Sequence, residues 1–360
     1  MSLIAETSNP LLEQALLSKL AQRGDLGGQL GALEPVAVRL GLLQNSLKPR
    51  FRDPQLVLFA ADHGLAVEGL PMAQPDQTAQ LVQQVLAGQL PVAVFAQQLG
   101  LALSVVDCGV ASQLPGHERL MQRKIAHGTR NARMGPAMSL EQAHAAIRAG
   151  MEIGDTLRGN LVACAGLGVG AHEAAALVIA RLAQSPVAEL LLSGREAESD
   201  ALAHLMIVAQ GAMGRHRDVT DAVEVLAAFG GFETAVMVGM MLVAASKRHL
   251  IMVDGMAACA ALLVASRISA SVIDYALFCR SRAHPGLAKA LALLRAAPLL
   301  ELGLDTADGT GACLSWPLVR CAAALLADLD AAGAPDSQAA ALGDHRRTAD
   351  PDSTASSGLF

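Results

Sequence analysis

Asp308 stands directly before a Gly-Thr-Gly turn in the stretch LGLDTADGTGACLSWP, residues 302–317. A carboxylate at the root of such a turn can be aimed into a cleft and act as an acid or base, or it can simply form the turn. A second cluster, FAADHGLAVEG (59–69), sets Asp62, His63 and Glu68 around another turn. One histidine and two carboxylates at that spacing match no metal-ligand pattern, so a turn-forming Asp62 with a partly buried His63 is the simpler expectation. In LVACAGLGVGAHEAAALVIARL (161–182), Gly166-x-Gly168-x-x-Ala171 lies between an apolar run and a helical pattern. Formally it fits a dinucleotide fingerprint, with Glu189 where a ribose-binding acid belongs, but such a motif normally opens a domain. The broader reading is that bare amides at a helix start can receive a phosphate or carboxylate. LFCRSRAHPG (277–286) adds Arg280, Arg282 and His284 as possible anion contacts. No G-x-S-x-G elbow and no P-loop are present.

These residues need elements to position them. LVLFA (56–60) is a short apolar run that ends in Asp-His-Gly, as a buried parallel strand with a functional C-terminal end would. The pattern recurs in LALSVVDCGV, NLVACAGLGVG, VAELLLSG and RHLIMVDG, so each of these is expected to hold a strand. Helical stretches lie between them, among them TAQLVQQVLAGQLPVAVFAQQLG and SLEQAHAAIRAGMEIGDTLRGN, the latter opened by a Ser139/Gln142 capping box. Residues 10–46 read as two helices, the first closed by Gly24. Strands alternating with helices predict an α/β fold, a doubly wound and mostly parallel Rossmann-like sheet, with ligands at the C-terminal strand ends.

Composition sets the outer bounds. The chain has 360 residues, 52% of them hydrophobic but only 2% aromatic, which favours closely packed small side chains. A formal charge of −6 argues against a whole-surface grip on nucleic acid or anionic membrane. The basic stretch ERLMQRKIAHGTRNARMGPAMS (118–139) reads first as a solvated rim and second as a phosphate site. The six cysteines form no C-x-x-C pair, so no metal is expected. MSLIAETSNP lacks a basic region leading into an apolar one, and the longest apolar runs stop short of the ~18 residues of a membrane span. A cytoplasmic protein with no membrane or nucleic-acid partner is expected.

Seven motifs in order carry a resemblance: Ala61-Asp62-His63-Gly64 with Glu68-Gly69, VVDCGV (105–110), GTRN (128–131), GPAMSLEQA (135–143), GGFE (230–233), VDG (253–255) and DGTGACLSWPLV (308–319). Over roughly residues 10 to 330 the chain resembles the nicotinate-nucleotide–dimethylbenzimidazole phosphoribosyltransferase family. The resemblance implies a Rossmann-like core with a small helical domain built from the chain ends, and a homodimer. On that division residues 1–48 and 286–331 form the small domain, 49–285 the core, and the stretch from about Ala332 to 360 a disordered tail. It further implies transfer of phosphoribosyl from nicotinate mononucleotide to a benzimidazole-type base in cobalamin lower-ligand assembly, with no dissociable cofactor. Asp308 falls at the family's general-base position, where the family carries Glu. Gly166, Leu167, Gly168 and Gly170, with Gly309, Thr310 and Gly311, fall at its substrate-binding positions.

The sequence departs from the family pattern around that site. The family's Glu aligns with Gly166, its Asn with Ala171, and its Thr-Thr pair with His172-Glu173. A phosphate-binding Lys aligns with His204, a Ser-His pair with Cys279-Arg280, and a Gln near the base pocket with Leu81. His172 and Arg280 are the expected replacement charges for a phosphate. The alternative is a catalytically impaired relative that binds a nucleotide or base.

Overall fold

Strands buried on both faces need continuous apolar runs, and four of the expected runs are such strands. A computed structural model describes residues 4–27, 30–70, 76–191 and 199–327. In chain order its elements are α1 (Pro10–Gly27), α2 (Leu33–Gln44), β1 (Gln55–Ala61), a 3₁₀ turn (Gly64–Glu68), α3 (Gln77–Leu86), α4 (Pro91–Gln98), β2 (Ala102–Gly109) and β3 (Leu120–Gln122). There follow α5 (Leu140–Thr156), β4 (Leu161–Leu167), α6 (Ala171–Ala183), α7 (Val187–Leu191), α8 (Ser199–Arg215), α9 (Ala222–Phe229) and α10 (Phe232–Ser246). The last are β5 (Leu250–Asp254), α11 (Met256–Ile268), a 3₁₀ helix (Ala270–Tyr275), β6 (Ala276–Cys279), α12 (Pro285–Leu293) and α13 (Thr310–Ala324).

The six strands form one parallel sheet in the order β3-β2-β1-β4-β5-β6. This is the doubly wound order, and the chain reverses its direction of travel between β1 and β4. The crevice beyond the C-terminal ends of those two strands is therefore where such a fold binds ligands. The turn after β1 carries Asp62 and His63, and the turn after β4 carries Gly168 and Gly170. Helices α10 and α11 are buried along almost their whole length. The expected Ser139/Gln142 capping box is present at the start of α5.

Two expectations are corrected. VAELLLSG was expected to hold a strand, but Val187–Leu191 is the short helix α7. Its Ala, Glu and Leu are helix formers, and a short apolar run carries no period of its own. Ser193 and Gly194 lie outside the described residues. Removing this strand also removes the strand-borne Glu189 that a dinucleotide site required. Gly24 does not close α1, which runs on to Gly27. One stretch, Gln77–Gln98, is long and apolar enough by composition to cross a membrane. It comprises α3 and α4, separated by a turn at Gly88.

The chain ends meet. α13 packs on α2 and α4, the Tyr275 hydroxyl donates to the Ala5 carbonyl at 2.8 Å, and Arg39 donates to the Ile273 carbonyl at 2.8 Å. Residues up to Leu326 form one compact unit; those from Ala327 form a second, of which only Ala327 is described. The tail expected from Ala332 lies outside the described residues.

Candidate active site

The Asp308 turn hangs on one buried carboxylate. Asp254, the last residue of β5, accepts hydrogen bonds from Ser281 Oγ at 2.6 Å, the Ser281 amide at 3.0 Å, the Gly309 amide at 3.1 Å and the Ala312 amide at 2.9 Å. Ser281 Oγ in turn accepts from the Gly311 amide at 2.7 Å. Thr310 is buried, and its hydroxyl donates to the Ala307 carbonyl at 2.7 Å. Three chain segments, the ends of β5 and β6 and the start of α13, are thus tied at one point. A strand end fixed in this way places the next side chain without an adjustable loop. Gly309, Thr310 and Gly311, expected as substrate contacts, have these anchoring roles in the fold. A Cβ on Gly311 would come within 2.5 Å of the Arg280 backbone.

Asp308 packs against a bare backbone. Gly255 has φ +88°, and a Cβ there would sit 2.2 Å from Asp308 Oδ2, so only glycine leaves room for the carboxyl. The Asp308 side chain is largely buried, and its Oδ1 lies 3.3 Å from Arg282 Nε. Burial pushes its pKa up, Arg282 pulls it back, and Asp254 and Asp305 push it up again, leaving it at about 7. A carboxyl poised near neutral pH is suited to accept a proton in a reaction. Asp254 is itself raised, by burial working against its four donors.

The facing half of the site is made of backbone. A Cβ on Gly168 would stand 2.0 Å from the Ala61 carbonyl oxygen, so the loops after β1 and β4 touch at the point where the sheet reverses. Gly170 has φ +85° and caps α6 with no side-chain hydrogen bond. The start of α6 is thus a positive dipole end without a side-chain cap, although the Ala171 amide meets the Gly168 carbonyl at 3.4 Å and Glu173 in the first turn adds a negative charge. The Val169 amide is taken by Thr78 Oγ1 at 3.1 Å. Gly166 lies inside β4, and a Cβ there would come 2.5 Å from Ala257 Cβ and 3.7 Å from Glu233 Cγ. The neighbouring α11 fills the space a larger residue would occupy.

His63 and Glu233 form a fully buried pair beneath this loop, Nε2 to Oε2 at 3.4 Å. Burial pulls the imidazole down, but Glu233 with Asp62 and Glu173 outweighs it and the net direction is up. For Glu233, burial raises the carboxyl and His63 with Thr234 lowers it further. Each partner favours the charged form of the other. A Cβ on Gly170 would lie 2.9 Å from His63 Cβ, so the imidazole directly supports the loop. Asp62 accepts from the Ala111 amide at 2.7 Å, and a Cβ on Gly64 would strike the Thr129–Asn131 backbone at 2.5–2.6 Å.

The other expected contacts are engaged with protein. His204 Nε2 meets the Glu68 carbonyl at 2.5 Å. Glu68 also holds Asn131 at 2.5 Å and Arg133 at 2.6 Å, and these two donors keep its carboxyl below the usual range. Part of the basic stretch is therefore an ion-paired support for the turn. His172 Nε2 meets the Leu190 carbonyl at 3.1 Å, its ring lies edge-on to His284, and burial lowers its pKa, so it is a neutral ring. Arg280 pairs with Glu301 and donates to the Arg282 carbonyl at 3.0 Å. Leu81 is partly buried against the core. Among the described residues no cluster of histidine, cysteine and acidic groups could hold a metal. A cavity of about 680 Å³ beside Arg181, Ser185 and Arg267 lies at the opposite ends of α6 and α11 from Gly170 and Gly255. The residues that sequence reasoning missed are Asp254, Ser281, Glu233 and, as the cation beside Asp308, Arg282. The VDG and GGFE motifs were signals for two of them; their pairings are long-range and leave no mark in spacing.

A family model described as phosphoribosyltransferase matches residues 5–334. The chain is 41% identical over 323 residues to the nicotinate-nucleotide–dimethylbenzimidazole phosphoribosyltransferase of Cupriavidus taiwanensis, covering 89% of this chain and 92% of that one. The chain belongs to this family. It is also 40% identical to the family's Variovorax paradoxus member, over 92% of this chain and 95% of the other. The crystal structure of the family's Thermus thermophilus member is similar at a TM-score of 0.82 and 32% identity, covering 89% of this chain and 96% of that one. The family's fold is the doubly wound α/β arrangement described above, and five of the motifs that suggested it make contact in two groups. His63 joins Ala61–Gly64 to GGFE, Gly64 joins it to GTRN, and Asp254 joins VDG to the Asp308 turn.

Proposed function

We propose that the protein transfers phosphoribosyl from nicotinate mononucleotide to a benzimidazole-type base, giving α-ribazole 5′-phosphate and nicotinate. The observation that carries this reading is Asp308, a buried carboxyl poised near neutral and fixed by Asp254 at the end of the sheet. As one ring nitrogen of the base attacks the anomeric carbon, the bond from that carbon to the nicotinate nitrogen breaks and its electron pair leaves with nicotinate. The other ring nitrogen gives its proton to Asp308. The transition state is oxocarbenium-like, so holding both partners in line supplies much of the rate. Gly168, Gly170 and the first amides of α6 receive the phosphate. Leu167 and Leu81 supply apolar walls for the flat base.

Asp308 reaches one methylene less far than the family's Glu, roughly 1.5 Å. The carboxyl's tight seat against Gly255 and its pinned backbone support a working position for the shorter residue. Residues 1–48 and 286–331 act as the small helical domain, and the enzyme works as a cytoplasmic homodimer. The test is to incubate the protein with nicotinate mononucleotide and dimethylbenzimidazole and resolve the products. Equal amounts of nicotinate and α-ribazole 5′-phosphate are expected; nucleotide bound without either product would overturn the reading.

A further inference from the structure

A cation strengthens a phosphate site built of amides, and three of the expected ones are engaged with protein. His204 is held at the Glu68 carbonyl, His172 is neutral against the Leu190 carbonyl, and Arg280 is paired with Glu301. Arg282 is placed differently. Its backbone is fixed by a bridge to Asp305 and by the Arg280 side chain on its carbonyl, while its side chain stays about half exposed. The guanidinium lies 3.3 Å from Asp308 and 3.9 Å from Asp305, and His284, two residues on, sets its ring 4.8 Å from that of His172 in the first turn of α6. It therefore stands between the carboxylate half of the site and the amide half.

We propose that Arg282 is a shared cation that pairs with Asp308 until the nucleotide binds, then turns its guanidinium to the nucleotide's 5′-phosphate and leaves Asp308 unpaired beside the incoming base. The proposal rests on the reading of Asp308 as general base and of a phosphorylated nucleotide as donor. The planar fork of Arg matches phosphate oxygens, and a phosphate monoester carries more charge than a carboxylate. The switch needs only a side-chain rotation, because the backbone of Arg282 is fixed.

Its consequence is electrostatic. The charged groups facing Asp308 are Arg282 beyond β6, Asp305 on its own loop and Asp254 at the end of β5; the Cys259 thiol on α11 is kept protonated by burial. Arg282 is the sole cation in that set, and it holds the carboxyl down against the two aspartates. Drawing it to the phosphate strengthens the base once substrate is in place, and not before.

The experiment compares nicotinate mononucleotide with nicotinate riboside, which lacks the phosphate, in the wild type, Arg282→Gln and Arg282→Lys. On the plateau above the ascending limb, where Asp308 is ionised in every variant, Arg282→Gln is expected to lower kcat/KM about 10²-fold more for the mononucleotide than for the riboside, with Arg282→Lys between. In the wild type the ascending limb of kcat against pH is expected to lie above that of kcat/KM, because the two report bound and free enzyme. In Arg282→Gln the kcat/KM limb moves up to meet it. Unchanged thermal stability of the half-exposed variant confirms that folding is not the cause. If the wild type turns over and Arg282→Gln loses activity equally on both donors, or on neither, the shared cation is overturned while the reaction stands. If the wild type makes no product, the reaction itself fails and takes this inference with it.

Discussion

The two halves of the site are built by opposite means. The Asp308 half is made of side chains: Asp254 gathers four donors, Ser281 relays a fifth, and Asp308 stands on that frame with Arg282 opposite. The Gly168–Gly170 half is made of backbone, laid so close to Ala61 and His63 that side chains are excluded. On the sequence resemblance the first half carries an acid where the family's Glu is expected, and the second carries Gly166, Ala171 and His172-Glu173 where its Glu, Asn and Thr-Thr are expected. On the proposed function, a phosphate held by backbone amides tolerates exchange of the neighbouring side chains, because its donors are amides. A proton-transfer site does not, because its acceptor is one carboxyl at one place.

Removing the central anchor on each side gives the largest effects. Asp254→Ala and Glu233→Ala are each expected to cost about 3–5 kcal/mol in denaturant unfolding, the first by orphaning buried donors and the second by leaving His63 unpaired. Their kinetics separate the halves. Asp254→Ala lowers kcat with KM for the nucleotide little changed, whereas Glu233→Ala raises that KM more than it lowers kcat. The reverse split would erase the distinction drawn between the two halves.

Asp308→Asn should stabilise the fold even as it damages the chemistry. Below about pH 4 the carboxyl is protonated in folded and unfolded chains alike. As pH rises toward about 7, the unfolded chain ionises it while the folded chain holds the proton, so wild-type stability falls through that window. The variant is therefore expected to gain about 2–4 kcal/mol over the wild type at pH 8 and little at pH 4, as thermal melts at the two pH values will show. Gly170→Ala is a smaller disturbance, about 1–3 kcal/mol of strain at φ +85° beside His63, seen as a raised KM for the nucleotide with kcat nearly kept. The smallest expected effect belongs to His204→Lys. It restores the family's cation at an exposed position but gives up the Glu68 carbonyl contact, and KM should shift by no more than about fivefold.

The sequence was legible where local pattern and function coincide. Apolar runs ending in Asp-His-Gly, Asp-Cys-Gly, Gly-Leu-Gly and Asp-Gly are four strand ends of the sheet, and the turn after Asp308 is the one that Asp254 anchors. It was illegible where a short element carries no period, as in α7, or where four residues suffice for a strand, as in β6. Arg280 and Arg282 look equivalent in LFCRSRAHPG. Only the fold turns one toward Glu301 and the other toward Asp308. Gly166 read as a lost ligand; in space it is also the place where Ala257 closes against β4.

The central claim is that Asp308 takes the proton in a working transferase. A single turnover with enzyme in excess over nicotinate mononucleotide and saturating dimethylbenzimidazole measures that step apart from product release. The wild type is expected to form α-ribazole 5′-phosphate, and Asp308→Asn to bind the nucleotide equally well but react about 10²–10⁴ times more slowly. Equal single-turnover rates in the two proteins would contradict the account.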